Sequence, residues 1–328
     1  MYKIAYILPY FGRFPKNFNI WLKSCEMNFS IDWIIFTDDE TRYNYPINVK
    51  VYYMSFEKLK NIFQSYFDFK ININRPWKLC DFKPAYGEIF SKYLKNYDFW
   101  GYCDIDLIWG DIRRFITDDI LNKYNRIGFQ GHSTLYKNDE IINSLYKYDD
   151  GTNLSYKVAF SNEKGYCFDE NGMDEIYKIN KIKYYNITNF AHLRKFDYNF
   201  FLGHFDKSED YKNYRQIFIW KEGRLYRKYL YNKKIFTEEF MYIHFWCRPM
   251  TYKIKSNNFD ELFIYSDVVT TKKIDYDNPK IIKKYGKKHP IRFYLKAIIQ
   301  NRKKISIKRI IFNLQQRKKD KIEYENKK

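Results

Sequence analysis

Near its start the chain carries short, unbroken apolar runs separated by polar breaks. Lys3-Ile4-Ala5-Tyr6-Ile7-Leu8 predicts a first strand that breaks at Pro9-Tyr10-Phe11-Gly12 into a loop. From Asn17 to Met27 the residues Phe18, Trp21, Leu22 and Cys25 recur on one face at helical spacing. Ile31-Asp32-Trp33-Ile34-Ile35-Phe36 predicts a second buried strand, stopped by Thr37-Asp38-Asp39, and Val49 to Met54 a third. A short helix around Leu59, Ile62 and Phe63 follows. Strands alternating with helices argue for a parallel, doubly wound sheet.

Pro76 to Pro84 leads into a predicted helix with Ala85, Tyr86, Ile89, Phe90, Tyr93 and Leu94 at 3.6-residue spacing, Pro84 in its first turn and Asp81 near its cap. That helix returns the chain to Tyr97–Cys103, an aromatic strand. Further on, residues 112–115 and those from Asp118 onward suggest helix, Arg126 to His132 a strand, and Ile141–Tyr146 another helix. Residues 166–175 form an acidic loop entering a helix. Gln216–Trp220 and Arg224–Tyr226, flanking Lys221-Glu222-Gly223, suggest a hairpin, and Phe240–Trp246 a strand that delivers His244.

Composition changes this picture in three places. Tyr and Phe are abundant, 34 and 29 among 328 residues, which supplies ample core material. The five cysteines are scattered and lack C-x-x-C spacing, so they predict small buried residues in a reducing compartment, where sequons at Asn153 and Asn186 have no role. No run approaches the 18 or more apolar residues of a membrane span, and a strand beginning at Lys3 leaves no room for a signal peptide. The net charge of +20 is uneven: from Lys283 onward 17 Lys and Arg face three acids, a net +14, leaving +6 for everything before. Basic residues there alternate with Leu295, Ile298, Ile299 and the Ile305–Leu314 stretch. This predicts an amphipathic tail helix suited to an anionic membrane surface.

The strongest chemical signal is Asp104-Ile105-Asp106, which interrupts the aromatic strand. Successive strand side chains alternate faces, so the two carboxylates share one face and Cys103 and Ile105 the other. Two carboxylates so close repel and are costly to bury unpaired, so a hard divalent cation, Mg2+ or Mn2+, is the expected third party. The carboxyl end of a strand in an open α/β sheet is also where ligands bind.

The early strand, the Thr37-Asp38-Asp39 stop, the central Asp-x-Asp and the late His244 together resemble nucleotide-sugar-dependent glycosyltransferases of the GT-A fold. Lys78-Leu79-Cys80-Asp81-Phe82-Lys83-Pro84-Ala85-Tyr86 with Gly101-Tyr102-Cys103-Asp104-Ile105-Asp106 is similar to a group of bacterial glycosyltransferase-like proteins associated with surface polysaccharide genes. The resemblance implies a mostly parallel, Rossmann-like sheet flanked by helices over residues 1–265, donor-binding to about 130 and acceptor-binding beyond, followed by a linker and basic tail over 266–328. It implies a Mn2+ or Mg2+ ion on Asp106, Asp104 and His244, with Arg248 as a basic partner gripping phosphate. It places Lys83 at a diphosphate, Asp81 at a ribose hydroxyl, and Asp38 at base or ribose. Pro9, Tyr10 and Phe11 would line a uracil pocket, implying a UDP-linked donor. Asp169 and Glu170 are the acid/base candidates of an inverting transferase, which needs a carboxylate within reach of the acceptor hydroxyl. The implied partners are a nucleotide sugar, a saccharide or lipid-linked acceptor and the inner face of the cell membrane, with a cytoplasmic location. Two other classes compete. A nucleotidyl or phosphoryl transferase also uses Asp-x-Asp, but a Gly-Ser phosphate loop is missing. A polyanion-binding protein would explain the +20, but the charge avoids the predicted core, so no nucleic-acid partner is expected.

Overall fold

The computed structural model describes residues 1–192, 214–246, 250–254, 256, 259–265 and 267–286, together with the backbone of 201–202. The basic tail beyond Gly286, with its predicted helix, lies outside the described residues.

Strands β1 (Ile4–Pro9), β2 (Ile31–Thr37), β3 (Val49–Tyr53) and β4 (Phe99–Cys103) are followed by β5 (Leu107–Trp109), β6 (Arg126–Gln130) and β7 (Ser133–Lys137). Six of them form one sheet in the order β3-β2-β1-β4-β7-β6. The first four are parallel and buried on both faces at the centre, which is why β1 and β2 are continuous apolar runs. The period of two still sorts their side chains. Ile4, Tyr6 and Leu8 pack with Phe18 and Trp21 of the helix Phe18–Glu26, whereas Ala5 and Ile7 pack against Phe82, Tyr86 and Phe90.

The chain is α/β, but its sheets are mixed and not mostly parallel. β7 runs antiparallel to β4, and β6 antiparallel to β7. The strand expected to run through His132 ends at Gln130, because Gly131-His132 turn the chain back into β7. Gly128 at φ +84° lies where the β6–β7 register shifts, a bulge whose backbone conformation favours glycine.

The segment expected as one helix after Pro84 is a chain of short helical turns from Pro76 to Leu94. Pro84 lacks the N–H that a continuous helix would use. At Gly87 the Trp100 indole comes so close that an added Cβ would lie 2.6 Å from it.

A second, four-stranded sheet joins β5 to β13 (Tyr242–His244), β8 (Phe190–His192) and β9 (Phe201–Leu202) in the order β5-β13-β8-β9. The third sheet holds β10 (Arg215–Lys221), β11 (Arg224–Tyr231), β12 (Lys234–Phe240), β14 (Thr251–Lys253), β15 (Glu261–Tyr265) and β16 (Val268–Thr270). Its two tight hairpins turn on Glu222-Gly223 and Asn232-Lys233, all four with positive φ, as two-residue type I′ turns require. The sheet continues past residue 265: β16 pairs with β15, and Ile282 of the helix Pro279–Tyr285 packs with Ile217, Ile219 and Phe263. Among the described residues no helix is long and apolar enough to cross a membrane.

Candidate metal centre and cavity

Asp104 directly follows β4, a strand flanked by β1 and β7 near the middle of the first sheet, so the acid pair stands at a carboxyl strand end. The pair sits in the bend between β4 and β5 rather than in a strand. The alternation survives nonetheless: Cys103 and Ile105 pack into the core while both carboxylates converge on one histidine. His244 Nε2 lies 3.1 Å from Asp106 Oδ1 and 3.7 Å from Asp104 Oδ2. Backbone pairing holds the bend in place, because β13 lies antiparallel to β5 and the Phe245 N–H donates to the Asp106 carbonyl at 2.8 Å.

One ligand atom from each of Asp104, Asp106 and His244 lies within 4.8 Å of the others. Two part-exposed carboxylate oxygens and the nitrogen of a buried imidazole at the cavity wall fit a divalent cation that keeps further positions for substrate oxygens.

The cavity occupies about 620 Å³ beside the pair. It is lined by Pro9, Tyr10 and Phe11 from the end of β1, by Lys83, Asp104, Asp106 and His244, and by Trp77, Tyr102, Trp246 and Tyr252. One wall is therefore aromatic and another charged. A planar heterocycle and a polyanion could occupy it together.

Lys83 ties the site to its second layer. Its ammonium is buried and donates to Asp104 Oδ1 at 2.9 Å and to the Gly131 carbonyl at 2.7 Å, with Asp169 Oδ2 at 3.8 Å. Burial opposes the charge on Lys83, but Asp104, Cys80 and Asp169 outweigh it and hold its pKa well above the ordinary lysine value.

A protein-family model matches residues 6–273, a span that contains every element of this site. The chain belongs to DUF6625, a family of unknown function. No curated protein matches the chain.

The remaining sequence candidates of this DUF6625 member fall in different places. Asp81 is buried away from the cavity wall, in an ion pair of 2.7 Å with Lys78, and its oxygens accept the N–H groups of Tyr166 and Phe168 at 3.0 Å. Its oxygens are thus engaged in anchoring Lys78 and the backbone at Tyr166 and Phe168. Asp38 accepts the Gly12 N–H at 2.7 Å and braces the loop after β1, without lining the cavity. Its neighbour Asp39 is the buried one, accepting from Phe14 and from both the N–H and hydroxyl of Thr41.

Asp169 and Glu170 stand behind the charged wall and line no part of the cavity. Glu170 accepts the Gly131 N–H at 2.6 Å and so secures the turn whose carbonyl holds Lys83. Burial pushes Asp169 up to about 7, with Glu170 and Asp104 adding and Lys83 opposing. Arg248 lies outside the described residues. Sequence reasoning passed over Trp77 and Tyr102 in the cavity, and His132 and His192 beside His244. The aromatics were indistinguishable from core, and the two histidines reach His244 only through tertiary structure, His192 by strand pairing and His132 through the β6–β7 turn.

Proposed function

We propose that this chain is a glycosyltransferase of the GT-A kind. In this reading it moves a sugar from a nucleotide-sugar donor, UDP-linked, to a saccharide acceptor carried on a lipid at the inner face of the cell membrane. The observation that carries the reading is the shared cavity. The acid pair with His244 and the aromatic Tyr10, Phe11 and Trp77 line one 620 Å³ space at the carboxyl ends of β1 and β4. That combination suits a ligand with a flat base at one end and a diphosphate at the other. A divalent cation held by Asp104 and Asp106, with His244 steadying the pair, would neutralise charge developing on a nucleoside-diphosphate leaving group.

The chain's own groups support the same chemistry. Asp104 presents two oxygens, one fixed by Lys83 and the other facing His244. Lys83 commits two of its three donors to Asp104 and Gly131, leaving the third for a phosphate oxygen. Being buried and braced by Asp169 and Glu170, that charge is preorganised and loses little on reaction. The basic tail supplies the attraction to an anionic membrane surface where a lipid-linked acceptor resides.

A thermal-shift panel of nucleotides and nucleotide sugars, with and without Mn2+, tests this reading. Only a ligand that prefers the folded state raises the melting temperature. UDP and at least one UDP-sugar should stabilise the protein when Mn2+ is present, and other nucleotides should do so less. Stabilisation by none of the nucleotides, or equal stabilisation by all without metal, overturns it.

A further inference from the structure

Three histidines from distant parts of the chain meet on the far side of His244 from the acid pair. His132 occupies the β6–β7 turn, His192 ends β8 and His244 ends β13, paired with His192 across the parallel ladder. Ring centroids lie 4.3 Å apart for His132 and His244, 4.9 Å for His192 and His244, and 5.5 Å for His132 and His192. One nitrogen from each falls within 4.8 Å of the other two. The His244 ring is used from both ends: Nε2 faces Asp106 Oδ1 at 3.1 Å, and Nδ1 faces His192 Nδ1 at 3.0 Å.

His132 shows that hydrogen bonds inside the protein do not complete this cluster. It is 4 % exposed, and its Nδ1 is paired with the Tyr242 hydroxyl at 3.1 Å. Its Nε2 is buried and has no hydrogen-bond partner among the described residues. Leaving such a nitrogen buried and unsatisfied is costly. If the Tyr242 oxygen accepts the Nδ1 proton, Nε2 keeps its lone pair, which is the form a metal ligand needs. The 3.0 Å between the Nδ1 atoms of His192 and His244 is close to the spacing of two ligands on one ion. With bonds of about 2.0–2.1 Å, tetrahedral geometry puts such nitrogens roughly 3.3 Å apart.

We infer that His132, His192 and His244 form a three-nitrogen site for a borderline transition metal ion, of which Zn2+ is the type. Imidazole donors without a carboxylate favour such an ion over Mg2+ or Mn2+. With the ion on Nδ1 of His244, the Nε2–H donates to Asp106, the common arrangement in which a ligating histidine is steadied by a carboxylate. His244 is then a positioning residue that orients the acid pair, and a cation of the donor site rests on Asp104 and Asp106. The site does not depend on the glycosyltransferase reading. It stands if the acid pair proves to bind no sugar nucleotide.

The test uses the full-length protein stripped with a chelator and then titrated with Zn2+ against a chromophoric competitor. One equivalent should bind, and X-ray absorption at the zinc edge should show three imidazole nitrogens at about 2.0–2.1 Å. His192→Ala, which changes a part-exposed strand end, should weaken Zn2+ by about 100-fold. Asp104→Asn should retain it within about tenfold, the lower end of the effect expected of a residue outside the ligand set. The absorption measurement needs no variant, so it stands even if substitutions at the buried His132 fail to fold. Absence of Zn2+ binding, an oxygen-dominated shell, unchanged affinity in His192→Ala, or loss of binding in Asp104→Asn overturns the proposal.

Discussion

Asp81→Asn tests the distinction between structure and chemistry in the Lys78–Pro84 segment. In the folded protein the Asp81 carboxylate receives the Lys78 ammonium at 2.7 Å and the N–H groups of Tyr166 and Phe168 at 3.0 Å. Lys78 also donates to the carbonyls of Ala159 and Lys164. Both side chains are almost fully buried, at 0 % and 2 % exposure. The amide keeps the shape but removes the charge that balances Lys78, and it offers one acceptor oxygen where two served. Breaking a buried pair by removing one partner costs about 3–5 kcal/mol. At about 2–4 °C per kcal/mol for a domain of this size, the melting temperature should fall by roughly 6–20 °C. Urea unfolding followed by circular dichroism measures the loss. The double variant Lys78→Met/Asp81→Leu should recover most of it, because an apolar pair of similar volume is often neutral. A stability loss under about 1 kcal/mol refutes the reasoning. So does wild-type stability combined with lost nucleotide binding, which would return Asp81 to a ribose contact.

Three further outcomes are expected. The Arg126 guanidinium is fully buried with no hydrogen-bond partner among the described residues, sitting over the rings of Tyr136, Tyr177 and Tyr184 at 4.9–5.7 Å. Arg126→Met should stay within about 1 kcal/mol of wild type in urea unfolding, since lost cation–π attraction offsets relieved desolvation; a loss above about 3 kcal/mol contradicts this. Asp169 has its pKa raised from 3.8 to about 7 in the fold, so the folded state binds its proton more tightly and stability is lost as pH rises through that window. Asp169→Asn should therefore gain on wild type between pH 4 and 7 in a series of melts, and a variant that loses ground there refutes the assignment. Removing residues 287–328 takes away a net charge of +12 but spares the helix Pro279–Tyr285 that packs on the third sheet. The shortened protein should stay folded and bind nucleotide but no longer sediment with anionic vesicles; equal sedimentation would place membrane attachment elsewhere.

What the sequence disclosed, and what it concealed, follows from the range of the interactions involved. β1, β2 and the acid pair were legible because burial on both faces leaves an unbroken apolar run, and an Asp-x-Asp cutting such a run needs a local reason. His244 was legible because Phe240–Trp246 places it at the end of an apolar strand. The turn at Gly131-His132 was concealed, since Arg126 to His132 continues the strand pattern and only Gly128 and Gly131 hint at the bulge and reversal. The anchoring role of Asp81 was concealed because the N–H groups it accepts come from residues 85 and 87 positions further along, in a segment whose folding no local pattern foretells. His132 and His192 were silent for the same reason. Each looks like a core histidine until the fold sets it against His244, His192 through strand pairing and His132 through the β6–β7 turn.

The central claim is that Asp104 and Asp106 bind a divalent cation that in turn holds a nucleoside diphosphate. Calorimetric titration of UDP into the full-length protein, with Mn2+ and with excess chelator, and again in Asp106→Asn, tests it most directly. Mn2+ should tighten UDP binding at least tenfold in the wild type, a difference of about 1.4 kcal/mol, and should have no such effect in Asp106→Asn. UDP binding that ignores Mn2+, or a Mn2+ effect that survives intact in Asp106→Asn, would contradict it.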